Sequence, residues 1–354
     1  MKKFLAILLC AVMVLAVVAC NNNGGTNTPD PTPATEAEYK LGMGVVVNMD
    51  SSAADNAQVD ATVAAVVLDA DGKIVACRID VAQNKFKVTD FAASAAKTFE
   101  TKMELGDRYG MAGKVDNDGN GVKLEWYEQT KAFEAYVVGM TAAQVEAIEL
   151  QEANGHQIAV DQKLLDAGCS MQITDFIAAV AAACKDEQAM SFKTASTFTL
   201  GVAASTVANE SVAPTETENG TVKMYTDFGA TVVADGKIIA ALNDAIQPNI
   251  TVNAAGEIVE KSYTATKRNL KEAYGMAGKV DGNGDGVKLE WYVQSEAFSK
   301  HVVGMTGEQV ANMETAANMI GYQMTTDTAL LEAGCTIQIT AIKAVVAKAV
   351  TNAR

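Results

Sequence analysis

Residues 109–126 read YGMAGKVDNDGNGVKLEW, and residues 274–291 read YGMAGKVDGNGDGVKLEW. The two stretches lie 165 residues apart and differ only at 117, 118 and 120, inside an acidic loop. Working outward, the match continues at Gln129 and Gln294, at Ala132-Phe133 and Ala297-Phe298, and through Val137 to Thr141 against Val302 to Thr306. Upstream, Asp71-Gly72-Lys73-Ile74 matches Asp235-Gly236-Lys237-Ile238 at an offset of 164. Downstream, Leu164 to Ser170 matches Leu330 to Thr336 at 166. An offset that drifts by single residues is the mark of homologous copies with one-residue loop changes. A unit of this length is too long for a solenoid repeat of about 20 to 50 residues. The sequence therefore reads as a tandem duplication of a whole domain, with copies at 39–186 and 194–354 joined by a short polar stretch around Lys185 to Gln188.

Within a copy, Ala61 to Asp69 is β-rich and apolar. Asp71-Gly72 is a hairpin turn, and Lys73 to Val81 supplies the partner strand. Leu124 to Val138 carries apolar residues near helical spacing. Thr141 to Gln144 and Thr306 to Gln309 each fit a capping box, so a second helix is expected to begin there. A short strand, Cys169 to Ile173, is expected before an Ala-rich last helix at Asp175 to Lys185, or Ala341 to Ala353 in the second copy. The expected fold class is α+β: two homologous tandem domains, each a hairpin or small antiparallel sheet packed with several helices.

Composition narrows the function. The chain has 354 residues, 28 Lys and Arg against 43 Asp and Glu, and a formal charge of −15. A field of that sign repels phosphate backbones and no basic cluster offsets it, so no nucleic-acid partner is expected. Only His156 and His301 are present, and neither is matched in the other copy. That excludes a repeated Ser-His-Asp site and a His-rich metal site. No nucleophile–base pair can be named, and the reading leans away from an enzyme. Of the internal cysteines, Cys169 and Cys335 are matched, whereas Cys77 and Cys184 are not. Buried free thiols are the simplest expectation for all four.

The N-terminus reads as a targeting signal. Met1-Lys2-Lys3 is followed by an apolar run from Phe4 to Val18 and then by Ala19-Cys20, which fits a secretory signal peptide over 1–19. The small-residue approach to Cys20 resembles the bacterial lipobox. By that resemblance Cys20 becomes the lipidated first residue, and the expected location is the extracytoplasmic face of the cell membrane. Residues 20–38 form a lipidated polar tether holding three of the five prolines. A coil of this length reaches on the order of 25 Å.

The acidic loops are the first candidate site. Asp116, Asp118 and Asn120, and in the second copy Asp281, Asn283 and Asp285, fit the start of a calcium loop, D-x-[DN]-x-[DN]-G. Alternate oxygens on a tight turn can converge on one hard cation. The bidentate Glu expected at the twelfth position is replaced by Tyr127 or Tyr292. Glu125 and Glu290, two residues earlier, are the candidates to complete a nonstandard Ca2+ site. The competing reading is a Gly-rich loop whose side chains make local turn bonds.

The second candidate rests on likeness. A hairpin with a DGKI turn, a helical E-W-Y-x-Q element, then Gly168-Cys169-Ser170 or Gly334-Cys335-Thr336 running into an Ala-rich helix, resembles the FMN-binding domains of extracytoplasmic electron-transfer proteins. In that family a Thr before the last helix carries FMN through a phosphoester. The resemblance implies Thr336 as the attachment residue, with Ser170 in its place in the first copy and Gly334 and Gly168 beside them. Gly229-Ala230-Thr231 matches the triplet in letters but lies within an expected strand and is set aside. Nearly the whole chain also resembles tandem-domain lipoproteins of anaerobic Firmicutes that have no assigned activity. Trp126, Trp291, Tyr109 and Tyr274 would suit a flat ring, although repeated aromatics on an amphipathic helix more commonly serve the core. The expected function is a flavin-based electron carrier with a redox partner or small-molecule ligand. The alternative is a non-redox surface interaction or solute-binding module with structural calcium loops.

Overall fold

The computed structural model of the chain describes residues 36–277, 284, 288–318 and 321–354. The expected leader, Cys20 and the expected tether up to residue 35 lie outside them, as do Asp281, Asn283 and Asp285, whereas Ala37 and Glu38, expected in the tether, are held in a paired strand. Among the described residues no helix is long and apolar enough to cross a membrane.

The first copy opens with three long strands, β1 (Ala37–Asn48), β2 (Asn56–Leu68) and β3 (Ile74–Lys87). It continues through the short helices α1 (Phe91–Ala95) and α2 (Lys102–Leu105), then α3 (Trp126–Tyr136) and α4 (Ala142–Glu146). A ribbon of β4 (Leu150–Ala153) and β5 (His156–Ala159), α5 (Gln162–Asp166) and α6 (Thr174–Cys184) complete it. β6 (Met190–Thr194) lies in the link between the copies and joins the first copy's sheet, and the second copy begins with β7 (Thr199–Val207). Then come β8 (Gly220–Lys223), β9 (Tyr225–Ala234), β10 (Lys237–Ile246), β11 (Asn249–Val252) and β12 (Ile258–Ser262). The helices α7 (Lys267–Leu270), α8 (Trp291–His301) and α9 (Gly307–Ala311) follow, then the ribbon β13 (Thr315–Ala317) and β14 (Gln323–Thr325), then α10 (Thr328–Glu332) and α11 (Thr340–Thr351). The α+β class is thus observed. The short strand expected at Cys169 to Ile173 is absent, because those residues form an irregular buried link between α5 and α6.

Pairing is antiparallel throughout, with sheet orders β3-β2-β1-β6, β10-β9-β7 and β12-β11-β8. The DGKI turns close both main hairpins by different means. Gly72 alone takes a left-handed φ of 74° in the first, whereas Asp235 and Gly236 both do so in the second, at 51° and 75°. The second pair is the signature of a two-residue hairpin turn whose twist matches the strands.

The period-2 alternation of the strands then divides their residues among three cores. From β2, Ala61, Val63, Ala65 and Val67 face Leu200, Val202 and Ala204 of β7 and Phe228, Ala230 and Val232 of β9, in one cluster drawn from both copies. The alternate residues Ala64, Val66 and Leu68 face Trp126, Phe133 and Val180 of the first copy's helices. On the opposite side, Ile238, Ala241 and Ala245 of β10 meet Trp291, Phe298 and Val346. The layers are therefore helix, sheet, sheet, helix, and residues 36–354 form one compact unit.

Candidate functional site

The repeated segment 109–126 is organised around one buried acid. Glu125 caps α3 and accepts from the amides of Met111 and Ala112, each at 3.0 Å. Burial pushes its carboxyl up, but those two amides and that of Trp126 outweigh burial and hold it below the usual range. Glu290 repeats the arrangement with Met276 at 3.0 Å and Ala277 at 2.9 Å. Both carboxylates are thus spent on folding the Gly-Met-Ala turn back onto the helix start. A cation in the first acidic loop would have to be held without Glu125.

In the first loop, Asp116 Oδ2 accepts from the Gly121 amide, Asp118 Oδ2 from Asn120 Nδ2, and Asn120 Oδ1 from the Val122 amide. These are the local turn bonds of an Asx-rich loop. Asp116 Oδ1 and Asp118 Oδ1, however, are buried with no partner in the protein. Among the described residues, no group of three or more His, Cys, Asp or Glu side chains is gathered to hold a metal ion. The loop also reaches the second candidate segment, since Asn117 Nδ2 donates to the Ser170 carbonyl at 2.8 Å.

Gly168 and Gly334 end α5 and α10 with φ of 88° and 87°. Each donates its amide to the residue three back, Leu165 or Leu331, at 2.8 Å. These are left-handed helix ends, closely covered by Leu124 and Leu289. The next residues are tied down by glutamine. Gln129 Oε1 accepts from the Ser170 and Met171 amides, each at 3.0 Å. Gln294 Oε1 accepts from the Thr336 amide at 2.7 Å and from its hydroxyl at 3.3 Å. Ser170 is 1% exposed and Thr336 3%, and the Ser170 hydroxyl has no partner.

Thr336 lines a cavity of about 570 Å³ together with Tyr225, Asp227, Lys267, Tyr274 and Trp291. That volume lies within the range of small-molecule sites, about 300 to 1,000 Å³. Lys267 Nζ stands 5.3 Å from the ring centres of both Tyr274 and Trp291. Burial raises Asp227 to about 6 despite the opposing charge of Lys267, with Asp244 adding to the rise. The aromatic pair expected to suit a flat ring is therefore gathered beside Thr336. A larger cavity of about 790 Å³ lies between β6, β10 and α8. Several of its polar groups are already committed: Arg268 binds Asp186, Ser299 binds Asn243, and Lys300 pairs with Glu296.

Sequence reasoning missed the lysine and its mounting. Lys102 in the first copy stands 5.0 Å from the Tyr109 ring and 5.4 Å from that of Trp126, as Lys267 does in the second. Each lysine is the first residue of a short helix capped by Thr101 or Thr266. Buried Asp80 and Asp244 in turn accept from the amides of Met103 and Arg268 and from the capping threonines. The available signal was Thr-Lys at 101–102 and 266–267, with the offset of 165 shared by Tyr109 and Trp126.

Comparison with known proteins yields one partial likeness. Over 156 residues the chain is 31% identical to a chlorophenol reductase from Desulfitobacterium hafniense. The match covers 38% of this chain and 46% of that protein, so it spans about half the relative's length. No family model matches, and no solved structure matches.

Proposed function

We propose that the chain is a lipoprotein, anchored by Cys20 at the extracytoplasmic face of the membrane, that carries electrons through a flavin held in the second-copy cavity. The observation that supports this reading is the gathering of Tyr225, Tyr274, Trp291 and Lys267 around a space of flavin-compatible size whose wall includes Thr336. Three aromatic side chains offer faces or edges to a flat ring, and Lys267 offers a cation. A bound flavin would supply reversible electron transfer, and the protein's part is to hold the ring and limit its contact with water. That the partial relative is named a reductase favours redox work over hydrolysis. Attachment as a phosphoester at Thr336 is the finer form of the proposal. It requires the Thr336 hydroxyl to give up its bond to Gln294.

The deciding experiment is the visible spectrum and intact mass of the protein extracted from its native host. A flavin band with a matching mass increment, lost in Thr336→Ala, supports the covalent form. A flavin band without the increment leaves a non-covalent carrier. A colourless protein sinks the redox reading and returns the domains to a surface-binding role.

A second, structural role for Ca2+ at Asp116, Asp118 and Asn120 is favoured by the two unpartnered oxygens of the aspartates. Without Glu125 the site should be weak, nearer millimolar than nanomolar, on the order of the affinities of extracellular calcium modules. If it exists, a chelator will lower the melting temperature of the parent and leave that of Asp116→Ala unchanged. An identical melt of the parent with and without chelator removes calcium from the account.

A further inference from the structure

Lys267, named above only as a cation at the cavity wall, has a counterpart in Lys102 of the first copy. In each copy the ammonium lies over a Tyr and a Trp at 5.0 to 5.4 Å. Among the described residues neither forms an ion pair. A lysine that served only solubility would not need such a mounting. Lys267 opens α7, whose Thr266 cap accepts from the Asn269 amide, and the next residue's amide is held by buried Asp244 at 3.0 Å. The position of the charge is thus fixed by the backbone, and its side chain is laid along aromatic faces at the cavity wall.

We infer that Lys267 is a positioning residue that sets the electron affinity of a flat ring held in this cavity, by favouring the ring's anionic reduced form over its neutral oxidised form. This inference rests on the flavin reading above. The neutral oxidised ring takes two electrons from a redox partner and one proton from water, and becomes a monoanion. A fixed ammonium in a partly desolvated wall stabilises that added charge and does nothing comparable for the neutral ring. Uniform aromatic stacking holds both forms alike, so the preference must come from charge. Lys102 holds the equivalent position in the first copy.

The test uses the full-length chain with FMN as the probe, oxidised in air or reduced with dithionite under anaerobic conditions. The quantity read is the ratio of the two dissociation constants, for the parent and for Lys267→Met, Lys267→Gln and Lys267→Arg. Removing the charge should lower the preference for reduced FMN by roughly tenfold, about 30 mV for a two-electron couple. Lys267→Arg should restore most of it, and near-ultraviolet circular dichroism will show whether each variant keeps the parent fold. A merely structural lysine would change both affinities together and leave the ratio alone. FMN binding with an unchanged ratio in folded Lys267→Met and Lys267→Gln overturns this inference while leaving the flavin reading intact. Failure of the parent to bind either form of FMN overturns both.

Discussion

The cavity acid Asp227 should oppose Lys267, and the opposition has a definite pH window. Its carboxyl is raised from 3.8 to about 6, first by burial. At pH 7 it is ionised and cancels part of the lysine's field; below about 6 it is neutral and cancels nothing. Asp227→Asn is therefore expected to increase the preference for reduced FMN at pH 7.5 and to have no effect at pH 5. An equal effect at both pH values would mean that the residue acts through shape. Buried Asp80, also raised to about 6 by burial, gives the matching stability argument. A carboxyl raised in the folded state contributes stability that is complete below its unfolded value and is lost as pH rises through about 6. Thermal unfolding of Asp80→Asn between pH 4 and 7.5 should consequently lose less stability with rising pH than the parent does. Residue-scale features of this kind were only half legible. Glu125 and Glu290 were visible as matched acids, but their pairing with amides 13 and 14 residues earlier depends on a fold-back that no spacing rule encodes.

At the scale of elements, the sequence was most informative where local chemistry decides the structure. Both capping boxes form as expected, with Thr141 accepting from Gln144 and Thr306 from Gln309. The DGKI hairpins and the helix spanning Trp126–Tyr136 also form. Less legible was how closely the last helix of each copy lies on its sheet. Gly42 and Gly44 of β1 sit directly beneath the Ala183 and Ala179 carbonyls of α6, and Gly201 of β7 lies beneath the Ala349 carbonyl of α11. A Cβ at Gly229 of β9 would stand 2.8 Å from the Val345 carbonyl oxygen. These contacts are with backbone, which cannot rotate away. Gly201→Ala should accordingly destabilise by about 3 kcal/mol or more, at the upper end for overpacked sites. Gly72→Ala, with open space around its Cβ position but a φ of 74°, should lose only about 1 kcal/mol. Denaturant midpoints of the two variants check the ranking, and a reversed order would show that α11 can lift from the sheet at little expense.

For the whole molecule, the decisive packing joins the copies across a shared core. The sequence hinted at this. Val63 to Leu68 is apolar without a break, as in strands covered on both faces, and all six residues are buried. Such a run states that both faces are covered but not by what, so the partner sheet from the other copy was invisible. Charged residues cross the same boundary. Asp186 follows the last helix of the first copy and meets Arg268 of α7 at 3.2 Å, with both side chains almost wholly buried. Arg354, at the end of the second copy, reaches buried Glu134 of α3 at 2.9 Å. Replacing Arg268 by Met would leave Asp186 as a buried, uncompensated acid, at a loss of about 3 to 5 kcal/mol. Asp186→Asn with Arg268→Met should recover much of that loss, because an amide can still accept from the Met43 backbone as the carboxylate does at 3.0 Å. The same geometry predicts how the molecule unfolds. Separating the copies would expose the face of β2 carrying Ala61, Val63, Ala65 and Val67 and, opposite it, the face of β9 carrying Phe228, Ala230 and Val232. Residues 36–354 should therefore melt in one cooperative transition, and residues 36–189 produced alone should lack fixed tertiary packing and bind a hydrophobic dye. Two separate transitions, or a well-dispersed amide spectrum from 36–189 alone, would show that each copy is stable without the other and that the shared core is only a docking surface.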